Sequence, residues 1–327
     1  MSDEPTAAEL YSALRPLLFS IAYRMLGSVN AAEDVVQESF LRYHRAQQDG
    51  VVIETPKAYL TTIATRLSVD ALRRAKRQRE AYVGTWLPEP LLTDPSPDAA
   101  EQVATADTLS LAFLVLLESL SPVERAVFLL REVFDYGYEE IAAVVDRTPD
   151  NCRQIALRAR RSVDARRPRY EPSAAKRDQL AERFFAACEH GDLQALQGLL
   201  AADIKFQGDG GGKAPAVAQV ISGQKMVMRL LVSLLRQGAE LGGWAEPAQV
   251  NGQPGAIFHT ADGKIASVVG LEIADGQVQA IQSVVNPDKL RHLGAVADMR
   301  SLMRAARNGT DRRTLALDRD EQSVPDR

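Results

Sequence analysis

Residues 136–161, YGYEEIAAVVDRTPDNCRQIALRARR, change their apolar period at a short break, and that break decides the fold. Ile141, Ala142, Val144 and Val145 mark a short amphipathic helix starting near Tyr138. Asp146 and Arg147 form a turn, and Thr148-Pro149 reads as a helix cap followed by the first helical residue. In the second helix Cys152, Ile155, Ala156, Ala159 and Val163 share one side, while Asn151, Gln154, Arg158 and Arg161 share the other. Two short helices joined by about three residues predict a helix-turn-helix. The exposed set has the chemistry to read DNA: Asn and Gln pair with adenine edges, and Arg with guanine or phosphate. The helix N-terminus near Thr148 favours a backbone phosphate as well. An ordinary solvated helix in a bundle is the plainer alternative, and the cap, the small packed face and the basic exit Arg158-Ala159-Arg160-Arg161 weigh against it.

Working outward, 327 residues suffice for two or three packed domains. The net charge of −4 does not by itself indicate a nucleic-acid partner, but its distribution does. Residues 121–177 carry 12 Lys/Arg against 9 Asp/Glu, residues 91–120 none against 5, and residues 178–290 carry 8 against 12. Cys152 and Cys188 are too few and too separated for a disulfide framework and read as buried thiols. The four histidines have no metal-ligand spacing, so no metal and no cofactor are expected. No signal peptide and no apolar run of membrane-spanning length is seen, which predicts a cytoplasmic chain without a membrane partner.

Toward the start, residues 7–27 predict a helix ended by Gly27. Asn30 is the expected cap of a second helix, with Glu33, Asp34, Gln37 and Glu38 as its acidic polar surface. Thr55-Pro56 opens a third helix running to about Glu80, whose latter half is basic: Arg66, Arg73, Arg74, Lys76, Arg77 and Arg79. Six cations in fourteen residues exceed what a helix C-terminus requires and suggest phosphate contact. Residues 82–100 contain Pro88, Pro90, Pro95 and Pro97 and read as a linker, with Trp86-Leu87-Pro88-Glu89-Pro90 as a rigid patch. Leu109–Leu120 and a helix begun by Ser121-Pro122 with Glu124 at N3 complete the second helical unit. Beyond Pro172 the pattern becomes helix, helix, then short strand-like runs at 204–206, 216–221, 256–260, 265–273 and 277–285, interrupted by a helix at 226–237. That order predicts an α+β domain of helices on a bent antiparallel sheet. A helix over 293–304 and a charged tail close the chain.

These motifs resemble a bacterial RNA polymerase sigma factor of the extracytoplasmic-function class. Gly27-Ser28, Ala32-Glu33-Asp34-Val35-Val36-Gln37-Glu38 and Phe40 resemble the polymerase-binding part of a sigma-2 domain, and Tyr59-Leu60, Ile63-Ala64 and Asp70–Arg74 its promoter-opening helix. Leu120-Ser121-Pro122, Glu124-Arg125, Tyr138–Ala142 and Arg158-Ala159-Arg160 resemble a sigma-4 domain. Arg66 stands where this class commonly has asparagine. Trp86–Pro90, Asp209-Gly210-Gly211-Gly212-Lys213 and Asn286-Pro287-Asp288-Lys289-Leu290 look like the signatures of the ECF41-type subclass, whose C-terminal extension is similar to SnoaL/NTF2 domains. The resemblance implies two all-α sigma domains (1–82 and 109–170) joined by a linker (83–108), an α+β SnoaL/NTF2-like domain over 176–290, and a regulatory or flexible tail over 291–327.

On that reading the partners are core RNA polymerase and promoter DNA, for a chain that is monomeric when free. Glu33, Asp34, Gln37 and Glu38 would face polymerase. Arg66, Arg73, Arg74 and Arg77 would meet the opening promoter, and Asn151, Arg153, Gln154 and Arg158 would read the upstream element with Arg160 and Arg161 on phosphates. Three successive glycines in Asp209–Lys213 permit close backbone approach, and the loop is expected to contact residues 86–90; it lacks the spacing of a phosphate loop. Two other classes compete. One is a helix-turn-helix regulator with a ligand-sensing effector domain. The other is a sigma factor fused to a SnoaL-like enzyme, with Asp203, Trp244 and His259 lining a pocket for a small-molecule ligand and an Asp–His pair as acid and base.

Overall fold

The computed structural model describes residues 6–79, 81–93, 107–165 and 173–305, with side chains of 76–79 excepted. The chain forms two compact units. The first comprises residues 1–82, 87–172 and 251–253; the second comprises 83–86, 173–250 and 254–327.

The first unit is all-helical. Thr6 and Glu9 form a capping box for α1 (Ala7–Leu26), and Gly27 closes it in the left-handed conformation at φ 65°. Ser28, not Asn30, caps α2 (Val29–Gln48). Proline opens α3 (Pro56–Arg79). Then follow α4 (Leu111–Leu117) and α5 (Pro122–Glu132), the latter with the Ser121/Glu124 capping box expected from sequence. The pair α6 (Tyr138–Val145) and α7 (Pro149–Asp164) closes the unit. One contiguous apolar core runs through all seven helices, from Leu18, Ile21 and Met25 of α1 through Leu60 of α3 to Phe113, Val127, Leu129, Ile141 and Val163. Arg125 lies inside this core, 1% exposed, donating from Nε to the Arg24 carbonyl (3.0 Å) and pairing with Glu118. Burial pushes its guanidinium down to about 9.

The second unit is α+β. Helices α8 (Ala174–His190) and α9 (Leu193–Leu199) precede β1 (Leu200–Asp209). Then come β2 (Ile221–Ser222), α10 (Gln224–Glu240), β3 (Trp244–Val250), β4 (Gln253–His259), β5 (Ile265–Ala274) and β6 (Gln277–Val284). The sheet order is β2-β1-β6-β5-β4-β3. Antiparallel pairing was expected throughout, yet β1 and β6 run parallel, from Lys205 opposite Ala280 to Asp209 opposite Val284. The intervening hairpins β4–β5 and β5–β6 return the chain in the direction that makes this pairing parallel. Phe184, Ile204, Phe206, Val227, Leu271, Ile273 and Ile281 fill the space between helices and sheet. The strand expected at 216–221 contracts to Ile221–Ser222, and β3 was not foreseen. In place of one helix over 293–304, Gly294 (φ 145°) interrupts the chain and Val296 bridges to Ile265; residues 299–305 are helical. Among the described residues no helix is long and apolar enough to cross a membrane.

Candidate nucleic-acid interface

The α6–α7 pair has helix-turn-helix geometry. Asp146 turns the chain in the left-handed region (φ 55°), and the Thr148 hydroxyl accepts from Asn151 N at 3.2 Å. Cys152, Ile155, Ala156, Ala159 and Val163 are buried, so the helix is held from one side by small and apolar groups. Asn151, Arg153, Gln154, Arg158, Arg160 and Arg161 are all exposed, on the side the sequence assigned to DNA. Two of these cations have carboxylate partners. Arg153 donates to Asp150 (2.6 Å) and Glu139 (3.3 Å) and stands over the Tyr138 ring; Arg160 Nε donates to Glu132 at 3.1 Å. Glu132 therefore ties α7 to α5 through Arg160, which gives that arginine a structural task as well.

On α2 the acidic surface divides. Glu33 accepts from Arg15 of α1 at 2.5 Å and Glu38 from Arg42 at 2.7 Å, whereas Asp34 and Gln37 are exposed. On α3, Arg73 and Arg74 are exposed, with Arg73 3.0 Å from Asp70. Arg66 instead donates to the carbonyls of Ala143 and Val144, and the Arg77 side chain lies outside the described residues.

Within the second unit the signature residues converge. Lys289 Nζ lies 2.7 Å from Asp209 Oδ2 and 4.5 Å from the centre of the Trp86 ring. Asp209 is fully buried, and its carbonyl accepts from Val285 N (2.8 Å) and Asn286 N (2.9 Å). Asn286 Oδ1 accepts from Asp288 N at 3.1 Å, and Lys213 pairs with Asp288. A Cβ at Gly210 would meet the Ala214 carbonyl at 2.3 Å, and one at Gly212 (φ 68°) would meet the Val83 side chain at 3.1 Å, so Gly210 lets the loop backbone close on itself and Gly212 makes room for Val83. Gly211 joins them at φ 56°, and Leu290 is wholly buried.

Of the three candidate pocket residues, the structure brings together Trp244 and His259 but not Asp203. His259 stacks on Trp244 with ring centres 4.2 Å apart, but its Nε2 partner is Glu246 at 3.0 Å. Asp203 sits on β1, and β6 and β5 lie between β1 and the strand that carries His259. At about 4.8 Å per strand that is roughly 14 Å, too far for an acid–base pair. A surface groove of about 750 Å³ between α9 and α10, lined by Leu193, Lys225, Met228, Arg229 and Val232, includes none of the three. Among the described residues no cluster of His, Cys, Asp and Glu could hold a metal.

Residues 10–78 match sigma-70 region 2, and residues 110–163 match sigma-70 region 4. The chain is 38% identical to the ECF RNA polymerase sigma factor SigJ of Mycobacterium tuberculosis, over 85% of this chain and 91% of that protein. It belongs to the ECF RNA polymerase sigma factor family. The crystal structure of SigJ superposes with a TM-score of 0.69 at 33% identity, covering 86% of this chain and 97% of the other. The probable ECF sigma factor SigI of the same species is 32% identical over 90% of this chain and 98% of its own length.

Two polar residues in the first unit of this sigma factor have tasks that sequence reasoning did not assign: Glu89, named only as part of the linker patch, and Asn251, not named at all. Glu89 is 8% exposed and its carboxylate sits on the N-terminus of α2, accepting from Ser28 Oγ (2.8 Å), Val29 N (2.6 Å) and Asn30 N (3.4 Å). Asn251 is fully buried. Its Nδ2 donates to Tyr23 Oη (2.7 Å) and the Leu109 carbonyl (3.0 Å), and its Oδ1 accepts from Leu91 N (2.9 Å). Burial drives the Tyr23 hydroxyl well above its ordinary range. An Asn-Gly pair between two strand-like runs signals a hairpin turn, and Asn251 takes the left-handed conformation such a turn needs (φ 54°). Nothing local signals that its side chain is also fully bonded.

Proposed function

We propose that this sigma factor docks on core RNA polymerase through the exposed acidic face of α2 around Asp34 and Gln37. The basic half of α3, with Arg73 and Arg74, meets the promoter backbone at the opening site. The exposed face of α7 reads the upstream promoter element, with Asn151, Gln154 and Arg158 on base edges and Arg161 on phosphate. Arg153 and Arg160 join that face by exchanging their carboxylate partners for DNA. The carrying observation is the helix-turn-helix whose exposed side holds all six of these groups while its buried side is wholly apolar or small.

The C-terminal extension governs the sigma activity in cis. Support comes from the convergence of three sequence-distant signatures, Trp86, Asp209 and Lys289, on one buried ion pair. The separation of Asp203 from His259 favours a structural regulator over a catalytic domain. Reconstituted transcription with core polymerase tests the assignment. Arg158→Ala should reduce initiation at the preferred upstream element about 10-fold or more, and less at altered elements, because a good base contact discriminates by about 1–3 kcal/mol. Equal losses on every template would reject base reading by Arg158.

A further inference from the structure

The last turn of α6 leaves carbonyls without intrahelical partners, as every helix C-terminus does, and carries a partial negative charge. No basic residue of α6 lies in that turn to answer it. The neighbouring Arg147 directs its guanidinium to the Asp146 carbonyl at 2.6 Å. The cation that answers the turn comes from α3. Arg66 Nε donates to the Val144 carbonyl at 2.9 Å, and a terminal nitrogen donates to the Ala143 carbonyl at 2.8 Å. Five residues earlier on α3, Thr61 Oγ1 lies 3.0 Å from the Tyr136 hydroxyl, just ahead of α6. The promoter-opening helix and the first helix of the helix-turn-helix are thus joined by a forked cation on two consecutive carbonyls and by a paired hydroxyl.

We infer that Arg66 is a clasp whose donors serve either the α6 carbonyls or promoter DNA, so that closing α3 onto α6 and engaging the promoter are mutually exclusive uses of one side chain. The geometry needs a fork: lysine would keep the charge but cannot bond both carbonyls with fixed orientation, and asparagine is several bonds too short to span both from the same backbone position. Arg66 is solvent-exposed, so its replacement leaves the core intact. The clasp couples α3 to the first helix of the helix-turn-helix in the free chain, and a promoter that takes the guanidinium also releases α6. The DNA half of this inference rests on the proposed role of α3; the clasp half does not.

The experiment separates the two halves. Spin labels at Asp70→Cys on α3 and Ala165→Cys beyond α7, with Cys152 and Cys188 replaced by alanine, report the distance between the helices in the free full-length chain, without polymerase or DNA. Arg66→Ala and Arg66→Lys should each increase the population of longer distances about tenfold, as the loss of a net charge-assisted hydrogen bond predicts. An unchanged distribution in both variants, with native circular dichroism, overturns the clasp. Binding of holoenzyme to a pre-opened promoter duplex then tests the exclusive use. Arg66→Ala should weaken it and Arg66→Lys largely preserve it; equal binding by all three proteins overturns the DNA role while leaving the distance result to stand.

Discussion

Replacing Glu89 by glutamine tests whether the Trp86–Pro90 signature acts through the start of α2. The carboxylate accepts two short bonds, from Ser28 Oγ (2.8 Å) and Val29 N (2.6 Å), and a longer one from Asn30 N (3.4 Å). Glutamine keeps one acceptor for the Val29 and Asn30 amides and turns its NH₂ group to Ser28 Oγ, whose hydroxyl can rotate to accept it. The variant loses the charge assistance of these bonds, about 1–1.5 kcal/mol, with roughly 0.5 kcal/mol more from removing the anion at a helix N-terminus. A change of about 1.5–2 kcal/mol multiplies local opening by about 13- to 30-fold. Hydrogen exchange followed by mass spectrometry on the full chain reads this directly. The peptide spanning 28–33 should exchange that much faster in Glu89→Gln, while the peptide across the Ser121/Glu124 capping box stays unchanged. Affinity for core polymerase should fall as well, because Asp34 and Gln37 stand on the next turns of the frayed helix. Less than a threefold change in the 28–33 peptide would show that Ser28 alone holds the helix start, and the reasoning would fail.

Asn251→Ala strands the Leu91 amide and the Leu109 carbonyl, removes a bond accepted by Tyr23 Oη (which still donates to the Glu89 carbonyl) and places alanine at positive φ, costing about 3 kcal/mol. Calorimetry should show the first transition lowered by about 5–10 °C, and a loss below 1 °C would contradict it. Lys289→Met removes the cation 2.7 Å from the buried Asp209 carboxylate, costing about 3 kcal/mol or more; adding Asp209→Asn should recover over half of the loss, and equal losses in single and double variants would deny the coupling. Burial pushes the Glu272 carboxyl up to about 7, against the opposing pull of the Gln282 hydrogen bond and of Lys205, which shares its row across Ala280. The folded state therefore keeps a proton that the unfolded chain has already released above 4.5. Stability from this group is complete below that pH and declines as pH rises to about 7, by at most about 3 kcal/mol. Urea midpoints at pH 5 and 7.5 should differ less in Glu272→Gln than in the unaltered chain, and equal differences would remove Glu272 as the cause.

What the sequence discloses tracks how local each determinant is. Ser121 with Glu124, and Thr148 with Pro149, set their helices within one turn, so both starts were legible and the helix-turn-helix with them. Asn30 was an equally good local cap as Ser28; a carboxylate about sixty positions away on Glu89 completes the start at Ser28, and no window on the sequence contains that information. Strand β3 was missed because its first four residues are exposed and include Pro247, so the alternation that betrays a half-buried strand is absent. The parallel pairing of β1 with β6 joins segments some seventy residues apart, and a strand's pattern of burial is the same whichever way its neighbour runs. The same logic applies to function. Which arginines are exposed on α7 follows from a 3.6-residue period, but Arg66 carries the same composition signal as Arg73 and Arg74 and does something different. Its distinguishing partners are the Ala143 and Val144 carbonyls, main-chain groups that every residue possesses and no sequence spells out. A basic helix therefore announces an affinity for negative charge, and only tertiary structure decides whether that charge is a phosphate or the end of another helix.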